Sequence, residues 1–239
     1  MPIIKTLTFG DIHGRDNWRD CNPENYDFII FVGDYVDSFN KSDIEILNNL
    51  QEIIKFKINN RSKVILLLGN HDIQYCLPNN GCSGYRPQMY SYLNRIFGEN
   101  KELFQVAFQI KGKDKNYLWT HAGVSSKWLE LFKEEISLTR AEYRENFESY
   151  LNESLASALN ETFKYNLDTL FYVDKESGGW ESFAGPFWAR YSVNQYPLPG
   201  FVQIIGHTSL RERNSVVIGD SINHFIDVPN ESFELEINT

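Results

Sequence analysis

The sequence predicts an α/β fold with at least part of its sheet parallel. Three apolar runs, residues 3–9, 28–32 and 64–68, each stop at a glycine followed by Asp or Asn: Gly10-Asp11, Gly33-Asp34 and Gly69-Asn70. Near-continuous apolar runs of this length read as strands buried on both faces. Between the second and third runs lies a helix. Ser42 and Glu45 have the spacing of a capping box, and Ile46, Leu47, Leu50, Ile53 and Ile54 recur at helical intervals. Strand, helix, strand is the repeating unit of a parallel sheet.

The remaining elements follow in order. Pro78, Asn79, Asn80, Gly81 and Gly84 mark a loop. Met89, Leu93, Ile96 and Phe97 predict a helix closed by Gly98. Residues 104–110 and 117–120 read as strands around the polar turn KGKDKN. Residues 126–171 read as mostly helical, with a second capping box at Thr139 and Glu142. The stripe Tyr143, Phe147, Tyr150, Leu151, Leu155 and Leu159 that follows is core packing. Residues 175–200 are loop-like, rich in Gly, Pro and aromatics, and residues 201–205, 216–218, 224–228 and 233–237 form a closing set of strands. No repeat, low-complexity run or linker divides the chain. It reads as one domain, 1–239, with a helical, cap-like insertion at about 126–171.

Composition narrows the function. Over 239 residues, 42% apolar and 15% aromatic content excludes a disordered chain. No run of roughly 18 uncharged apolar residues offers a membrane span, and the N-terminus turns polar too soon for a secretory signal. Cys21, Cys76 and Cys82 are an odd number for a disulfide framework and point to a reducing, cytoplasmic setting. With 23 Lys+Arg against 32 Asp+Glu, the net charge of −9 argues against extended nucleic-acid binding. A small anionic substrate is not excluded, because bound metal ions bring local positive charge.

The chemistry sits at the strand ends. Asp11 and His13 follow the first strand, Asp34 and Asp37 the second, and Asn70, His71 and Asp72 the third; His121 and His207 follow two later ones. Four of the five histidines thus lie where open α/β sheets bind ligands. Mixed Asp, His and Asn donors suit Mn, Fe, Zn or Ni better than Ca, which prefers oxygen cages. Because residues i and i+2 of a strand point the same way, Asp11 and His13 are expected to grip one ion together.

The segments GDIHG (10–14), GDYVDS (33–38), GNHD (69–72), THAG (120–123) and GHTS (206–209) resemble, in order, the five motifs of the calcineurin-like metallophosphoesterases. They span most of the chain. The pattern looks nearest the phosphoprotein phosphatase and symmetrical diadenosine tetraphosphatase branch, since Asn70-His71 accompanies a GHT motif with no second His. The resemblance implies a four-layer α/β/β/α sandwich and a dinuclear site that hydrolyses phosphate esters. Asp11, His13 and Asp34 would hold one divalent ion, and Asp34, Asn70, His121 and His207 the other, manganese first, with iron, zinc or nickel as alternatives. A metal-bridging hydroxide would attack phosphorus. His71 would protonate the leaving alkoxide as general acid, with Asp37 orienting it and keeping it protonated.

Two positions depart from the pattern. Ser38 stands where that branch carries a phosphate-contacting Arg, and Ser209 where other members carry a second His, leaving the first ion a water-filled position. Arg190, in GPFWARY, resembles an Arg that binds phosphate in related bacterial phosphatases; Arg86, in CSGYRP, is the second candidate. His224 reads as a strand or turn residue, and Cys76 and Cys82 as ordinary thiols rather than a zinc pair. The leading expectation is a phosphomonoesterase of the serine/threonine type, acting on a phosphoprotein or a nucleotide. The alternatives are a hydrolase of diadenosine polyphosphates or other nucleotides, and a non-catalytic scaffold of the same fold.

Overall fold

The computed structural model describes residues 2–77 and 81–239. Pro78, Asn79 and Asn80 of the expected loop lie outside the described residues. In chain order the first elements are β1 (Ile3–Phe9), β2 (Phe28–Phe31), α1 (Asp43–Asn59), β3 (Val64–Leu67), α2 (Asn70–Cys76), α3 (Tyr90–Glu99) and β4 (Phe104–Gln105). There follow β5 (Ala107–Lys111), β6 (Asn116–Thr120), α4 (Ser126–Leu138), α5 (Ala141–Glu153) and α6 (Leu155–Phe163). The chain continues through α7 (Ser192–Gln195), β7 (Phe201–Ile205), β8 (Asn214–Ile218), β9 (Ser221–Phe225) and β10 (Ser232–Asn238). The fold is mixed α/β with two five-stranded sheets, one in each of two compact units.

The first unit comprises Met1–Gln105, Ser209–Glu212 and Ile226–Thr239. Its sheet runs β10-β1-β2-β3-β4, with β1 to β4 parallel and β10 antiparallel to β1. The central strands are buried as their apolar runs require: Ile29, Ile30, Phe31, Val64, Leu66 and Leu67 are all inaccessible. Phe9 pairs with Phe31, and Phe31 with Leu66, so the chain leaves all three strands at one level. That register collects the Gly-Asp and Gly-Asn turns at a single edge of the sheet. Helix α1 starts at the expected box: Ser42 N–H donates to Glu45 Oε2 (2.8 Å), and Glu45 N–H returns to Ser42 Oγ (3.3 Å). Its buried face includes one polar residue, Asn49. The Asn49 amide accepts from the Trp18 indole (3.1 Å) and donates to the Arg15 carbonyl (3.0 Å), which pins the loop that follows β1.

The second unit comprises Val106–Thr208 and Arg213–Phe225. Its sheet runs β5-β6-β7-β9-β8; β6, β7 and β9 are parallel, and β5 and β8 are antiparallel edges. The predicted helical stretch is α4 to α6 and a short 3-10 turn at Asp168–Phe171. Buried Trp128 stacks on Phe132 at 4.8 Å and donates its indole N–H to the Thr169 carbonyl (2.8 Å). No helix among the described residues is long and apolar enough to cross a membrane.

Four expectations need correction. The strand at 104–110 is two strands in different sheets, broken at Val106. There the side chain of Asn160 on α6 accepts from Val106 N–H (2.8 Å) and Ala107 N–H (3.0 Å) and donates to the Ala107 carbonyl (2.9 Å). A side chain therefore substitutes for a neighbouring strand. Thr139 does not cap α5: it closes α4, its hydroxyl donating to the Ile136 carbonyl (2.6 Å), and Arg140 starts α5 without a side-chain cap. Gly98 lies inside α3, which runs on to Glu99. The strand expected at 224–228 is Ser221–Phe225, paired on both sides, because residues from Ile226 onward belong to the first unit.

The Asn160 clamp supplies three hydrogen bonds, two to the first residue of edge strand β5 and one to Val106 before it. Asn160→Ala should lower stability by about 2 kcal/mol, at about 1 kcal/mol or less per bond for a part-buried side chain. Urea unfolding measures this, and an unchanged midpoint would show that α6 holds β5 by apolar contact alone.

Candidate active site

The residues singled out at the strand ends fall into two groups, one per unit. In the first unit the organising group is Asp72, which is inaccessible to solvent. One carboxylate oxygen accepts from Asp34 N–H (2.7 Å) and Gly69 N–H (2.9 Å), the other from Tyr35 N–H (2.9 Å). It thus ties the turn after β2 to the turn after β3. Burial and the neighbouring Asp34 charge push its pKa up, against three N–H donors that hold it down. The two turns touch so closely that only glycine fits. A Cβ on Gly33 would lie 2.4 Å from Gly69 N, and one on Gly69 only 2.1 Å from Asp34 Oδ1.

Around this joint the candidate ligands converge. Asp34 Oδ1 accepts from His71 N–H (2.9 Å), which leaves Oδ2 facing His13 Nε2 at 3.6 Å. Asp11 Oδ2 lies 4.0 Å from the same nitrogen. His13 Nδ1 sits 2.8 Å from the Val36 carbonyl, and a carbonyl only accepts, so Nδ1 carries the proton. In the neutral ring Nε2 therefore presents its lone pair to two carboxylates. That is how a metal-binding His is usually held, with its distal N–H on a backbone carbonyl. Donor atoms of His13, Asp34 and His71 all lie within 4.8 Å of one another. Two ligands each about 2.1 Å from an ion stand roughly 3–4 Å apart, so the 3.6 Å between Asp34 Oδ2 and His13 Nε2 fits a shared cation. Asp11 and His13 do not meet by strand alternation as expected. β1 ends at Phe9, and a turn with His13 in left-handed backbone (φ 43°) brings them together.

His71 and Asp37 also meet. His71 Nδ1 is 3.2 Å from Asp37 Oδ2, which further accepts from the Gln74 amide, while Tyr75 OH donates to Asp37 Oδ1 (2.6 Å). Burial opposes a charge on His71, but the Asp34 carboxylate and the Asp37 contact outweigh it and push its pKa up to about 12 in the metal-free chain. The free ring titrates at 6.5, so protonation of His71 stabilises the metal-free fold. That contribution is complete below pH 6.5 and fades as pH rises through the folded value. Burial and the Asp37 carboxylate raise the Tyr75 hydroxyl, which stays a donor. Cys82 Sγ lies 3.8 Å from His71 Nδ1 and 3.7 Å from the Asn70 amide nitrogen. Sequence reasoning named Asp72 at the strand end without giving it a role, and it overlooked Gln74 and Tyr75. The signal for the last two was present: they stand three and four residues beyond His71 on one helix and so share its face.

Arg86 is held among protein oxygens. Its guanidinium bonds to Asp43, to the Ser38 carbonyl and, at 3.4 Å, to the Lys41 carbonyl. Arg15, which sequence reasoning passed over, donates to the Asp11 carbonyl (2.7 Å) and lies 3.4 Å from Asp227.

In the second unit β6 and β7 are parallel neighbours with Thr120 opposite Ile205, so the residues just beyond them emerge together. His121 Nε2 lies 3.2 Å from His207 Nδ1, and both rings are buried. His207 is the centre of a γ-turn closed by Thr208 N–H to the Gly206 carbonyl (2.7 Å), with φ at 62°. Trp188 packs edge-on against His207, and Arg190 Nη1 lies 3.4 Å from Thr208 Oγ1. His224 is a strand residue in β9, its Nδ1 2.8 Å from Ser215 Oγ. Cys21, Cys76 and Cys82 are free.

Among the described non-glycine residues, those with positive φ are His13, Asp34, Asp37, Asn166, His207 and Asn230. Four of the six are candidate site residues. Strained backbone concentrates where function requires a fixed geometry.

The sequence profile of the calcineurin-like phosphoesterases matches residues 4–208. A comparison with curated proteins finds no match. Among solved structures, the cold-active protein-tyrosine phosphatase of a psychrophilic Shewanella is similar, with a TM-score of 0.54 and 16% identity, covering 98% of this chain and 76% of that one. A protein serine/threonine phosphatase from Saccharomyces cerevisiae aligns with a TM-score of 0.44 and 15% identity over 93% of this chain and 67% of its own. At these identities the likeness to the Shewanella enzyme is one of fold alone.

The Asp72 joint can be tested directly. Asp72→Asn turns an amide N–H₂ toward at least one of three buried N–H groups. The variant should lose about 2–3 kcal/mol of stability, as for a buried hydrogen bond to a charged group. A urea midpoint equal to that of the unaltered chain would remove Asp72 from the role given to it.

Proposed function

Since the chain belongs to the calcineurin-like phosphoesterases, enzymes that hydrolyse phosphate esters, we propose that it is a dinuclear-metal phosphomonoesterase working by the chemistry of the serine/threonine-type phosphatases. The observation that carries this reading is the His13 ring, its Nδ1 proton on the Val36 carbonyl and its Nε2 turned to Asp11 and Asp34. Two carboxylates converging on the ring nitrogen opposite the Val36 bond are the ligand set that one divalent ion needs.

Asp11, His13 and Asp34 would hold one divalent ion, and Asp34, Asn70, His121 and His207 the second. The support is the order of the motifs and the donor cluster that each unit forms by itself. Oxygen and imidazole together suit manganese, with iron, zinc and nickel as alternatives. When bound, the ions would supply Lewis acidity toward the phosphoryl oxygens and acidify a water for attack. The chain's own residues do the rest. Asp37, held by Gln74 and Tyr75, fixes the His71 ring through Nδ1, so that Nε2–H is the proton available to the leaving oxygen. Arg190 would grip the phosphoryl group with its planar fork. With its fork on Ser38, Lys41 and Asp43, Arg86 reads instead as the anchor of the loop after Asp37. The free thiols support a reducing, cytoplasmic setting.

Two outcomes test the reading. Titrated with manganese, the protein should bind about two ions per chain, and Asp34→Asn should lose both ions and the hydrolysis of phosphomonoesters together. An Asp34→Asn protein that keeps two ions and full turnover would end the dinuclear assignment. His71→Asn should lower kcat for alkyl phosphates by roughly 10²–10⁴ and far less for an aryl phosphate, whose leaving group needs little help from an acid. Equal losses on both substrates would assign His71 another role.

A further inference from the structure

Phe39 stands two residues beyond Asp37 with 91% of its surface exposed. A lone apolar residue on a surface needs no explanation. Two facts set this one apart. It helps to line a cavity of about 550 Å³ together with His13, Arg15, Asp37, Lys41 and His71, a volume within the range of small-molecule sites. The loop that carries it is also anchored on both sides. Ser38 Oγ donates to Asn40 Oδ1 (2.8 Å), the Arg86 guanidinium holds the Ser38 and Lys41 carbonyls, and Ser42 begins a fully capped helix. The anchored loop therefore presents the ring to water rather than to the core.

The remaining lining has the opposite character. The Arg15 guanidinium is held at the Asp11 carbonyl (2.7 Å), and Lys41 is paired loosely to Glu45 at 3.7 Å. Ser38, in place of a long Arg, spends its hydroxyl on Asn40. Asp16 and Asp37 also line the cavity and Asp227 lies 3.4 Å from Arg15, but Asp37 is taken up by His71, Gln74 and Tyr75. The cavity thus joins two cations and the candidate acid to one flat apolar face. A ligand matching it carries an anion next to an aromatic ring.

We propose that Phe39 is the platform for the leaving group, and that the site takes phosphate monoesters of aromatic alcohols, such as a phosphotyrosyl side chain. This rests on the phosphomonoesterase reading and narrows its substrate. The substrate ring stacks on Phe39, with the phosphoryl group toward Arg15, Lys41 and His71. In the reaction the oxygen of water bonds to phosphorus, and the aryl P–O bond breaks with its electron pair going to the phenolic oxygen. The proton from His71 then goes to that oxygen, giving a phenol and inorganic phosphate. Phe39 touches only the leaving group, so its contribution appears in binding and in discrimination between alcohols.

The test compares phosphotyrosyl and phosphoseryl peptides of one sequence with manganese-loaded protein. It also measures binding of phenylphosphonate and methylphosphonate, which are not hydrolysed. Phe39→Ala should lower the ratio of kcat/KM for the phosphotyrosyl over the phosphoseryl peptide about threefold to tenfold, chiefly through KM, as expected for one lost aromatic stack. The preference for phenylphosphonate over methylphosphonate should fall by a similar factor, and Phe39→Trp should preserve both preferences. Because the ring is exposed, the variants should fold normally, and their melting temperatures check this. If the unaltered protein hydrolyses both peptides and Phe39→Ala changes neither ratio, the platform is refuted while the phosphomonoesterase reading stands. If neither peptide is hydrolysed yet the phenylphosphonate preference depends on Phe39, the aromatic subsite stands and the reading of the reaction fails.

Discussion

A single carboxylate holds the first unit's candidate site in shape. Asp72 accepts three backbone N–H groups, two from the turn after β2 and one from the turn after β3. Those turns carry Asp34, Asp37, Asn70 and His71. The carboxylate gains its position from the helix it opens, where the third residue of the first turn reaches back to the residue before the helix. The same geometry aims His71 N–H at Asp34 and orders that carboxylate. Catalytic constellations need such second contacts, since a ligand free to turn cannot hold an ion in fixed geometry. Gly33 and Gly69 serve the same joint by their lack of a side chain, letting the two turns approach within the width of one Cβ.

Much of the fold is readable in the sequence because its strands are short, apolar and closed by glycine. β1 and β7 fall where the apolar runs begin and end, and α1 starts at its capping box. Where the reading fails, a side-chain hydrogen bond that spacing does not specify has intervened. Nothing near Val106 indicates that Asn160 will take two successive N–H groups and split a strand. Thr139 has the spacing to begin a helix, yet its hydroxyl finds a carbonyl of the preceding helix first. Ser and Thr side chains compete for local backbone partners in this way, and spacing alone does not decide the winner.

The candidate site shows the same division. Asp11, His13 and Asp34 are visible as motif residues, and so are His71 with Asp37; each set comes together within the first unit. His121 and His207 come together within the second. The residues that support them carry no motif. Gln74 and Tyr75 are found only by following the helical face of His71, and Arg15 only by seeing which carbonyl it reaches. Arg86 shows the converse: an Arg beside a motif attracts a phosphate role, whereas its fork braces the loop after Asp37.

Left-handed backbone at His13, Asp34, Asp37 and His207 bears on how substitutions at these positions should be read. Alanine disfavours that conformation by about 1 kcal/mol, whereas asparagine tolerates it through local hydrogen bonding. An alanine scan would therefore mix two losses at these four positions, one from the missing donor atom and one from the peptide geometry. Asn70, His71 and His121 lie outside this conformation and would report the donor alone. Ranked by alanine, the four would look more important than the three even if every side chain contributed equally. Asparagine scanning removes the bias, because it changes the chemistry and leaves the turn intact.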